Sequence, residues 1–329
     1  MKLKQLLAGI AVLFLTLGQF NTVAAAEQKK VMTTFYPVYY LAQRIAGDKI
    51  EVSMLLDSNQ DPHDYESSAR DAATVQQSDI FIYQDDEMEH FVSDMVKLLD
   101  TSKTKIVEST EDIELLAGDM HEHDDHDDHD HSESESHDDD HDHEEGESHD
   151  DHDHDHSHEF DPHTWMDPMI YAKQAENVKK ALIEVDPDNK AVYEANAKAL
   201  VEELTQLDAE YREQLAKLEN KTIVVQHAAF GYLAHAYGLT QEAITGIQTT
   251  QEPSAAALAA MQDFVKAHQV KTIFVEPSLN PATAKVVADA SGATLRPLRT
   301  LESVTQEEIE KGEDYFTIMR ANLAELLQN

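Results

Sequence analysis

From about residue 30 onwards, short apolar runs alternate with segments whose apolar positions recur every three or four residues. The runs predict strands and the periodic segments predict helices. The predicted strands are Lys30–Thr34, Ile50–Leu56, Asp79–Tyr83, Thr104–Glu108, Thr222–Gln226, Thr272–Val275 and Thr294–Leu298. The predicted helices are Pro37–Ala46, a stretch ending at Gln77, Glu87–Leu99, Pro168–Val185, Phe230–Tyr237, Ser254–His268, Pro281–Ala290 and Gln306–Leu327. This alternation predicts an α/β fold with parallel sheets flanked by helices.

One periodic stretch, Pro187–Leu218, is much longer than the others. Its apolar and aromatic positions step by three and four: Tyr193, Ala197, Val201, Leu204, Leu207, Tyr211, Leu215 and Leu218. A helix of this length would span roughly 48 Å, more than one lobe needs. A coiled coil is the alternative, but no second heptad segment exists to pair with it. We therefore predict a first lobe over 27–186, a single connecting helix over 187–218 and a second lobe over 219–329.

The first 26 residues have the pattern of a secretory signal peptide. Lys2 and Lys4 precede the apolar segment Leu6–Leu17, and Ala24–Ala26 forms a small-residue cleavage site. The signal peptide predicts an exported protein, periplasmic or extracellular. No other segment approaches ~18 continuous apolar residues, so no membrane-spanning helix is expected after it. The chain has no cysteine. Disulfides, thiolate metal sites and the lipid-bearing cysteine of a lipobox are therefore not expected.

The charge balance excludes two classes of partner. The formal net charge is −40, which argues against binding to nucleic acid or to anionic membrane surfaces. Much of this charge lies in His121–His158, which holds 13 of the 19 histidines and 19 of the 65 acidic residues. With no apolar group to bury, we expect a disordered surface loop over about 119–159. Imidazole and carboxylate together favour collection of divalent metals over a plain acidic spacer.

Four isolated residues have the placement expected of a buried metal site. His63 follows the strand Ile50–Leu56, His227 directly follows Thr222–Gln226, and Glu302 follows Thr294–Leu298. Ligands of open parallel sheets bind beyond the carboxyl ends of the strands. His163 stands where the chain leaves the first lobe. Three imidazoles and one carboxylate that meet in the cleft between the lobes would form a tetrahedral site suited to Zn²⁺.

Other candidates are weaker or remain open. Glu276, in Val275-Glu276-Pro277, also follows a strand and rivals Glu302 as the fourth ligand. His90, His235 and His268 are interpreted as structural or solvated. The His-Glu-x-x-His motif of zinc proteases is absent, and Pro162 interrupts the nearest approach to it.

Five stretches carry a resemblance to a known family. They are Thr34-Phe35-Tyr36-Pro37, Asp61-Pro62-His63-Asp64-Tyr65-Glu66, Asp161-Pro162-His163-Thr164-Trp165-Met166-Asp167-Pro168, His227-Ala228-Ala229-Phe230-Gly231-Tyr232 and Phe274-Val275-Glu276-Pro277. The chain resembles the metal-specific solute-binding proteins of ABC importers, most closely the zinc-uptake type known as AdcA and ZnuA. The resemblance covers everything after the predicted signal peptide, including a His-rich insertion between the first two ligand motifs.

The resemblance implies a metal bound by His63, His163 and His227, with Glu302 at the position of the family's late carboxylate. Manganese-binding relatives carry a carboxylate where His227 stands, so the resemblance favours zinc. We further expect a monomer that captures Zn²⁺ and delivers it to an ABC transporter permease in the membrane. The alternatives are a manganese or iron importer, a secreted zinc buffer or adhesin, and, least favoured, a zinc hydrolase.

Overall fold

The computed structural model describes residues 28–118, 160–248 and 252–329. The predicted signal peptide and the predicted His-rich loop lie outside the described residues. Among the described residues, no helix has the length and apolar character needed to cross a membrane.

The first half of the chain forms one sheet with helices around it. Its elements are β1 (Lys30–Thr33), α1 (Tyr36–Ala46), β2 (Glu51–Met54), α2 (Ala69–Val75), β3 (Ile80–Tyr83), α3 (Val92–Val96), β4 (Lys105–Glu108) and α4 (Pro168–Val185). All strands pair in parallel in the order β2-β1-β3-β4.

The second half repeats this arrangement after a long helix. Its elements are α5 (Lys190–Leu215), β5 (Thr222–His227), α6 (Gly231–Tyr237), β6 (Thr240–Thr245), α7 (Ala255–Ala267), β7 (Thr272–Val275), α8 (Ala282–Ser291), β8 (Thr294–Pro297), α9 (Gln306–Glu310) and α10 (Tyr315–Leu326). The strands are again parallel, in the order β6-β5-β7-β8. The predicted fold class, two parallel sheets flanked by helices with a long helix between them, is confirmed.

Both sheets reverse their winding direction beside their first strand. The switch lies between β1 and β3 in the first sheet and between β5 and β7 in the second. A crevice opens beyond the carboxyl ends of the strands at such a point, because the connections leave in opposite directions. His227 ends β5 and Glu276 directly follows β7, so both stand at the switch point of the second sheet.

Helix α5 joins the two halves by packing on both. It contacts α1 and α4 on one side and α6 and α10 on the other. Its buried face is Tyr193, Ala197, Leu200, Leu204, Leu207, Tyr211 and Leu215, with Leu200 rather than the predicted Val201 fully covered. A helix of 26 residues spans about 39 Å. It is shorter than predicted at both ends, because Pro187–Asn189 forms a separate 3₁₀ turn and the helix ends at Leu215 rather than Leu218.

A single hydrophobic core runs through both halves. The same cluster contains Leu41 and Phe81 from the first half and Leu233 and Tyr315 from the second. A smaller cluster around Val265 and Ile273 lies under the second sheet alone. Because the larger core is continuous, moving one half against the other would expose apolar surface, which is costly.

Two predicted helices were wrong in extent, and one strand was not predicted. Strand β6 was missed because it is a polar, half-exposed edge strand without an apolar run. The predicted helix Glu87–Leu99 is a helix only over α3, since the Glu89 carboxylate accepts hydrogen bonds from the backbone N–H groups of Gln84 (2.8 Å) and Asp85 (3.1 Å) and so holds a turn. The predicted final helix is split into α9 and α10 at Gly312, whose φ is 90°.

Candidate metal centre

The structure brings three histidines together in the cleft between the sheets. The ring centroids of His63 and His163 lie 5.2 Å apart, those of His63 and His227 5.5 Å, and those of His163 and His227 5.1 Å. One nitrogen from each ring lies within 4.8 Å of the other two. All three side chains are buried. We refer to this candidate site, the three histidines together with Glu302, as the metal centre.

Two of the histidines stand on matching Asp-Pro-His turns. In the first turn the Asp61 carboxylate accepts a hydrogen bond from the backbone N–H of His63, at 3.0 Å. In the second, Asp161 does the same for His163, at 2.9 Å. An Asp side chain that bonds its own backbone two residues on defines a tight local turn. The repeated motif therefore presents each imidazole on a preformed loop.

Asp161 also orients the ring of His163. Its Oδ1 lies 2.7 Å from His163 Nδ1, which leaves Nε2 as the nitrogen directed at the metal centre. That Nε2 is 3.2 Å from Glu302 Oε1. A carboxylate that holds the far nitrogen of a ligating histidine fixes the tautomer and raises the basicity of the ligand.

His227 is held from two directions. Its Nδ1 lies 2.9 Å from Glu276 Oε1, and its Nε2 lies 2.7 Å from the backbone oxygen of Ile247. To bind a metal while Glu276 holds Nδ1, His227 would therefore have to exchange the Ile247 oxygen for the ion at Nε2. The other oxygen of Glu276 accepts a hydrogen bond from Thr300 Oγ1 at 2.6 Å. Both oxygens of Glu276 are therefore engaged. Glu276 is thus better placed to orient His227 than to bind a metal itself.

Glu302 is directed at two imidazoles. Its Oε1 faces His163, and its Oε2 lies 3.9 Å from His63 Nε2. The residue before it, Leu301, has a φ of 69°, a left-handed conformation that disfavours a branched side chain. This bend turns the chain after β8 so that Glu302 enters the cleft. Trp165 holds the same segment, because its indole N–H donates to the backbone oxygen of Thr300 at 2.7 Å.

The proton affinities of the metal centre follow from burial and mutual charge. Burial alone would lower the pKa of His163, but hydrogen bonds to Asp161 and Glu302, and their negative charges, outweigh it and raise that pKa. Burial likewise opposes the charged form of His227, yet Glu276 and Glu302 raise its pKa. Burial raises the pKa of Glu302, and the neighbouring histidines oppose this. Without a cation, this set therefore retains protons that a metal ion would have to displace.

The donor set fits zinc. Zn²⁺ takes four nitrogen or oxygen ligands with bonds of about 2.0–2.2 Å, which places ligand atoms roughly 3.4 Å apart. The three nitrogens lie within 4.8 Å of one another, so reaching that separation requires them to approach by about 1.4 Å at most. Three imidazoles and one carboxylate suit zinc better than the harder Mn²⁺, which prefers oxygen ligands.

The structure also reveals a contact between the halves that sequence reasoning missed. A Cβ atom built on Gly231 would lie 2.3 Å from Asp161 Oδ2, so the absence of a side chain lets this carboxylate approach α6. The next residue, Tyr232, donates its hydroxyl to the backbone oxygen of Asp161 at 2.9 Å. Gly231 belongs to the quoted motif that begins at His227, and this membership was the only indication in the sequence that Gly231 matters for the site.

The remaining single histidines among the described residues are not part of the three-histidine cluster. His235 and His268 are exposed and His90 is half-buried. His268 stacks on Phe264 at a centroid distance of 4.1 Å near the end of α7.

Two parallel α/β lobes that bury a histidine cluster in the cleft between them define a two-lobed solute-binding protein. Comparison with known proteins gives the family. Residues 31–329 match the family model described as ZnuA, the periplasmic component A of the zinc-uptake complex. The chain therefore belongs to the ZnuA family.

Individual relatives agree with this assignment. The chain is 37% identical over 310 residues to the zinc-binding protein AdcA of Streptococcus pyogenes, a match that covers 94% of this chain and 58% of the relative. It is also 37% identical over 310 residues to the high-affinity zinc uptake system protein ZnuA of Bacillus subtilis, covering 93% of this chain and 90% of the relative. The chain thus spans little more than half the length of the AdcA relatives.

Solved structures support the same fold. The Zn(II)-bound ZnuA-like domain of Streptococcus pneumoniae AdcA superposes with a TM-score of 0.72 at 34% identity, covering 92% of this chain and 98% of that one. The laminin-binding protein Lmb of Streptococcus agalactiae, described as having adhesin and metal-transporting activity, gives a TM-score of 0.74 at 32% identity, covering 92% and 99%.

Proposed function

We propose that this protein binds Zn²⁺ outside the cytoplasm and delivers it to an ABC transporter permease for zinc uptake. The observation that carries the proposal is the convergence of three buried imidazoles, two on loops and one at the end of strand β5. Family membership supports the transport role and makes an enzyme, including a zinc hydrolase, the wrong class. The continuous core favours capture by local movement of the ligand loops rather than by wide hinge closure.

Direct zinc binding is the first test of this function. The chain has one tryptophan, and its ring centroid lies 5.3 Å from that of His163. The fluorescence of Trp165 should therefore report on the metal centre and not on weak binding elsewhere. A tight one-to-one transition on zinc titration, with much weaker competition by Mn²⁺, would support the proposal. No fluorescence change, or tighter binding of Mn²⁺ than of zinc, would contradict it.

We propose His63, His163, His227 and Glu302 as the four ligands, with Asp161 and Glu276 as the carboxylates that orient them. The placement of Glu302 between two imidazoles supports this assignment. A manganese or iron importer is the nearest alternative function. The imidazole of His227 argues against a manganese or iron importer, because the harder metals prefer oxygen ligands and a carboxylate would be expected at that position.

The choice between Glu302 and Glu276 can be made with two isosteric variants. Glu302→Gln should weaken zinc binding about a hundredfold, because it removes a charged ligand; Glu276→Gln should weaken it only about tenfold, as expected for a carboxylate that orients a histidine. Zinc affinity by competition with a chelator measures both. The reverse order of effects would make Glu276 the ligand.

Zinc capture should release protons. The raised pKa values of His163 and His227 mean that, near neutral pH, the metal-free centre holds protons on nitrogens that zinc must occupy. We therefore expect at least one proton released per zinc at pH 7, and an affinity that rises with pH up to the raised pKa values and falls as pH is lowered. Calorimetric titration in buffers of different ionisation enthalpy measures this. Zinc binding without proton release would mean that the histidines are already neutral.

The division of the chain belongs to the proposal too. We propose a signal peptide over 1–26, lobes over 27–186 and 219–329 and the connector over 187–218, in an exported monomer without a lipobox cysteine. The segment at about 119–159 is proposed to raise the local zinc concentration through many weak sites. A secreted zinc buffer or adhesin remains the second candidate, and Lmb gives it a specific basis. Growth at limiting zinc of a strain that lacks the whole gene would separate the two functions. Failure to grow would indicate transport, and normal growth would indicate buffering or adhesion.

A further inference from the structure

We propose that Gln84, Thr164 and Gln174 are positioning residues for zinc binding, because their buried hydrogen-bond network fixes the peptide on both sides of His163. This inference rests on the proposed function. It concerns residues other than the proposed ligands: Thr164 lies within the quoted motif of His163, whereas Gln84 and Gln174 lie outside the quoted motifs.

The network is built from elements around the first sheet. Gln84 follows β3, Ser109 follows β4, Gln174 lies in α4, and Thr164 is the residue after His163. All four side chains are at most 1% exposed. Buried amides and hydroxyls need partners for every hydrogen, since water cannot supply them.

Gln84 holds the loop of His163 directly. The two hydrogens of its side-chain amide point to the backbone oxygen of Pro162, at 2.9 Å, and to the hydroxyl oxygen of Thr164, at 2.6 Å. Pro162 and Thr164 are the immediate neighbours of His163. Hydrogen bonds from Gln84 therefore hold the residue before His163 and the residue after it.

Gln174 closes the network. The Thr164 hydroxyl donates to Gln174 Oε1 at 3.0 Å, and Gln174 Nε2 donates to Gln84 Oε1 at 2.8 Å and to Ser109 Oγ at 2.9 Å. Each donor has an acceptor, so a shift of the loop would leave buried polar groups unpaired. Asp161 orients the ring of His163, and this network fixes the backbone from which the ring projects.

The same lobe offers a matched control at the amino ends of its strands, opposite the carboxyl ends that face the metal centre. Thr104, just before β4, is also fully buried. Its hydroxyl donates to the backbone oxygen of Ser78 at 2.8 Å and accepts from Gln76 Nε2 at 2.9 Å. Thr104 and Thr164 therefore have the same side chain, the same burial and one accepted and one donated bond. Only Thr164 adjoins the metal centre.

The experiment compares Thr164→Val, Thr104→Val and Thr164→Ser in the full chain. Both valine variants should lower the thermal unfolding temperature by similar amounts. Thr164→Val alone should weaken zinc binding about tenfold, the usual effect of losing a supporting contact behind a metal ligand. It should also alter the visible absorption of bound Co²⁺, which is sensitive to the geometry of the ligands. Thr164→Ser, which keeps the hydroxyl, should restore both readouts.

Two outcomes would overturn the inference. One is Thr164→Val with wild-type zinc affinity and a wild-type Co²⁺ spectrum, which would make the network purely structural. The other is an equal loss of affinity in both valine variants. If Thr164→Val does not fold, Gln174→Met makes the same test, because it keeps the volume and removes the acceptor of the Thr164 hydroxyl. Absence of zinc binding in the wild type would instead refute the proposed function.

Discussion

His163→Ala should weaken zinc binding at the metal centre by about a hundredfold or more. Zinc sites with four protein ligands are worth roughly 10–16 kcal/mol, so one ligand accounts for about 3 kcal/mol, which corresponds to that factor. His163 also stands between Asp161 and Glu302, at 2.7 Å and 3.2 Å. Its removal therefore leaves two buried carboxylates without their shared partner, and the metal-free protein should unfold at a lower temperature.

Two further variants make this test specific. His63→Ala leaves the Asp161–His163–Glu302 contacts intact, so it should lose zinc affinity to a similar extent with a smaller loss of stability. His268→Ala removes an exposed histidine that stacks on Phe264, and it should bind zinc as the wild type does. Affinity is measured by competition with a chelator, with Trp165 fluorescence as the local reporter. Wild-type zinc affinity in His163→Ala and His63→Ala as well as in His268→Ala would place the tight site outside the metal centre.

Gly231→Ala should weaken zinc binding by about 10- to 100-fold although Gly231 is not a ligand. The new methyl group would lie 2.3 Å from Asp161 Oδ2, closer than any non-bonded contact allows, so the carboxylate must move. Asp161 bonds both the backbone N–H and the Nδ1 of His163. Losing a carboxylate that orients a ligating histidine typically costs this factor in metal affinity.

Gly246→Ala is the matched control. A Cβ atom at Gly246 would meet nothing within 4 Å, and the residue does not have a positive φ. Its backbone oxygen, which accepts from Ala228 N at 3.3 Å, is unchanged by the substitution. We expect zinc affinity in this variant to match the wild type. If Gly231→Ala also matched the wild type, the approach of Asp161 to α6 would have no role in placing His163.

The candidate site was largely predictable because its histidines follow local rules. His63 and His227 follow strands, and ligands gather beyond the carboxyl ends of parallel strands whatever the details of packing. The long connector was predictable from its periodic apolar face. The convergence of His63, His163, His227 and Glu302 agrees with the prediction, while their role as ligands remains a proposal.

What the sequence could not predict depends on contacts between distant segments. The approach of Asp161 to Gly231 and the bond from His227 to the Ile247 oxygen join residues with no shared pattern. The choice between Glu302 and Glu276 was left open because both follow strands, and only their partners distinguish them. Strand β6 was missed because an edge strand can stay polar when a neighbour supplies its backbone hydrogen bonds.

The central claim is that zinc is held by one atom from each of His63, His163, His227 and Glu302. A crystal structure of the zinc-loaded protein, with the ion located by anomalous scattering at the zinc edge, tests it most directly. We predict a single strong peak within about 2.0–2.2 Å of all four side chains, with Asp161 and Glu276 still bonded to the far nitrogens of their histidines. A peak elsewhere, with the three imidazoles turned away from one another, would contradict the account.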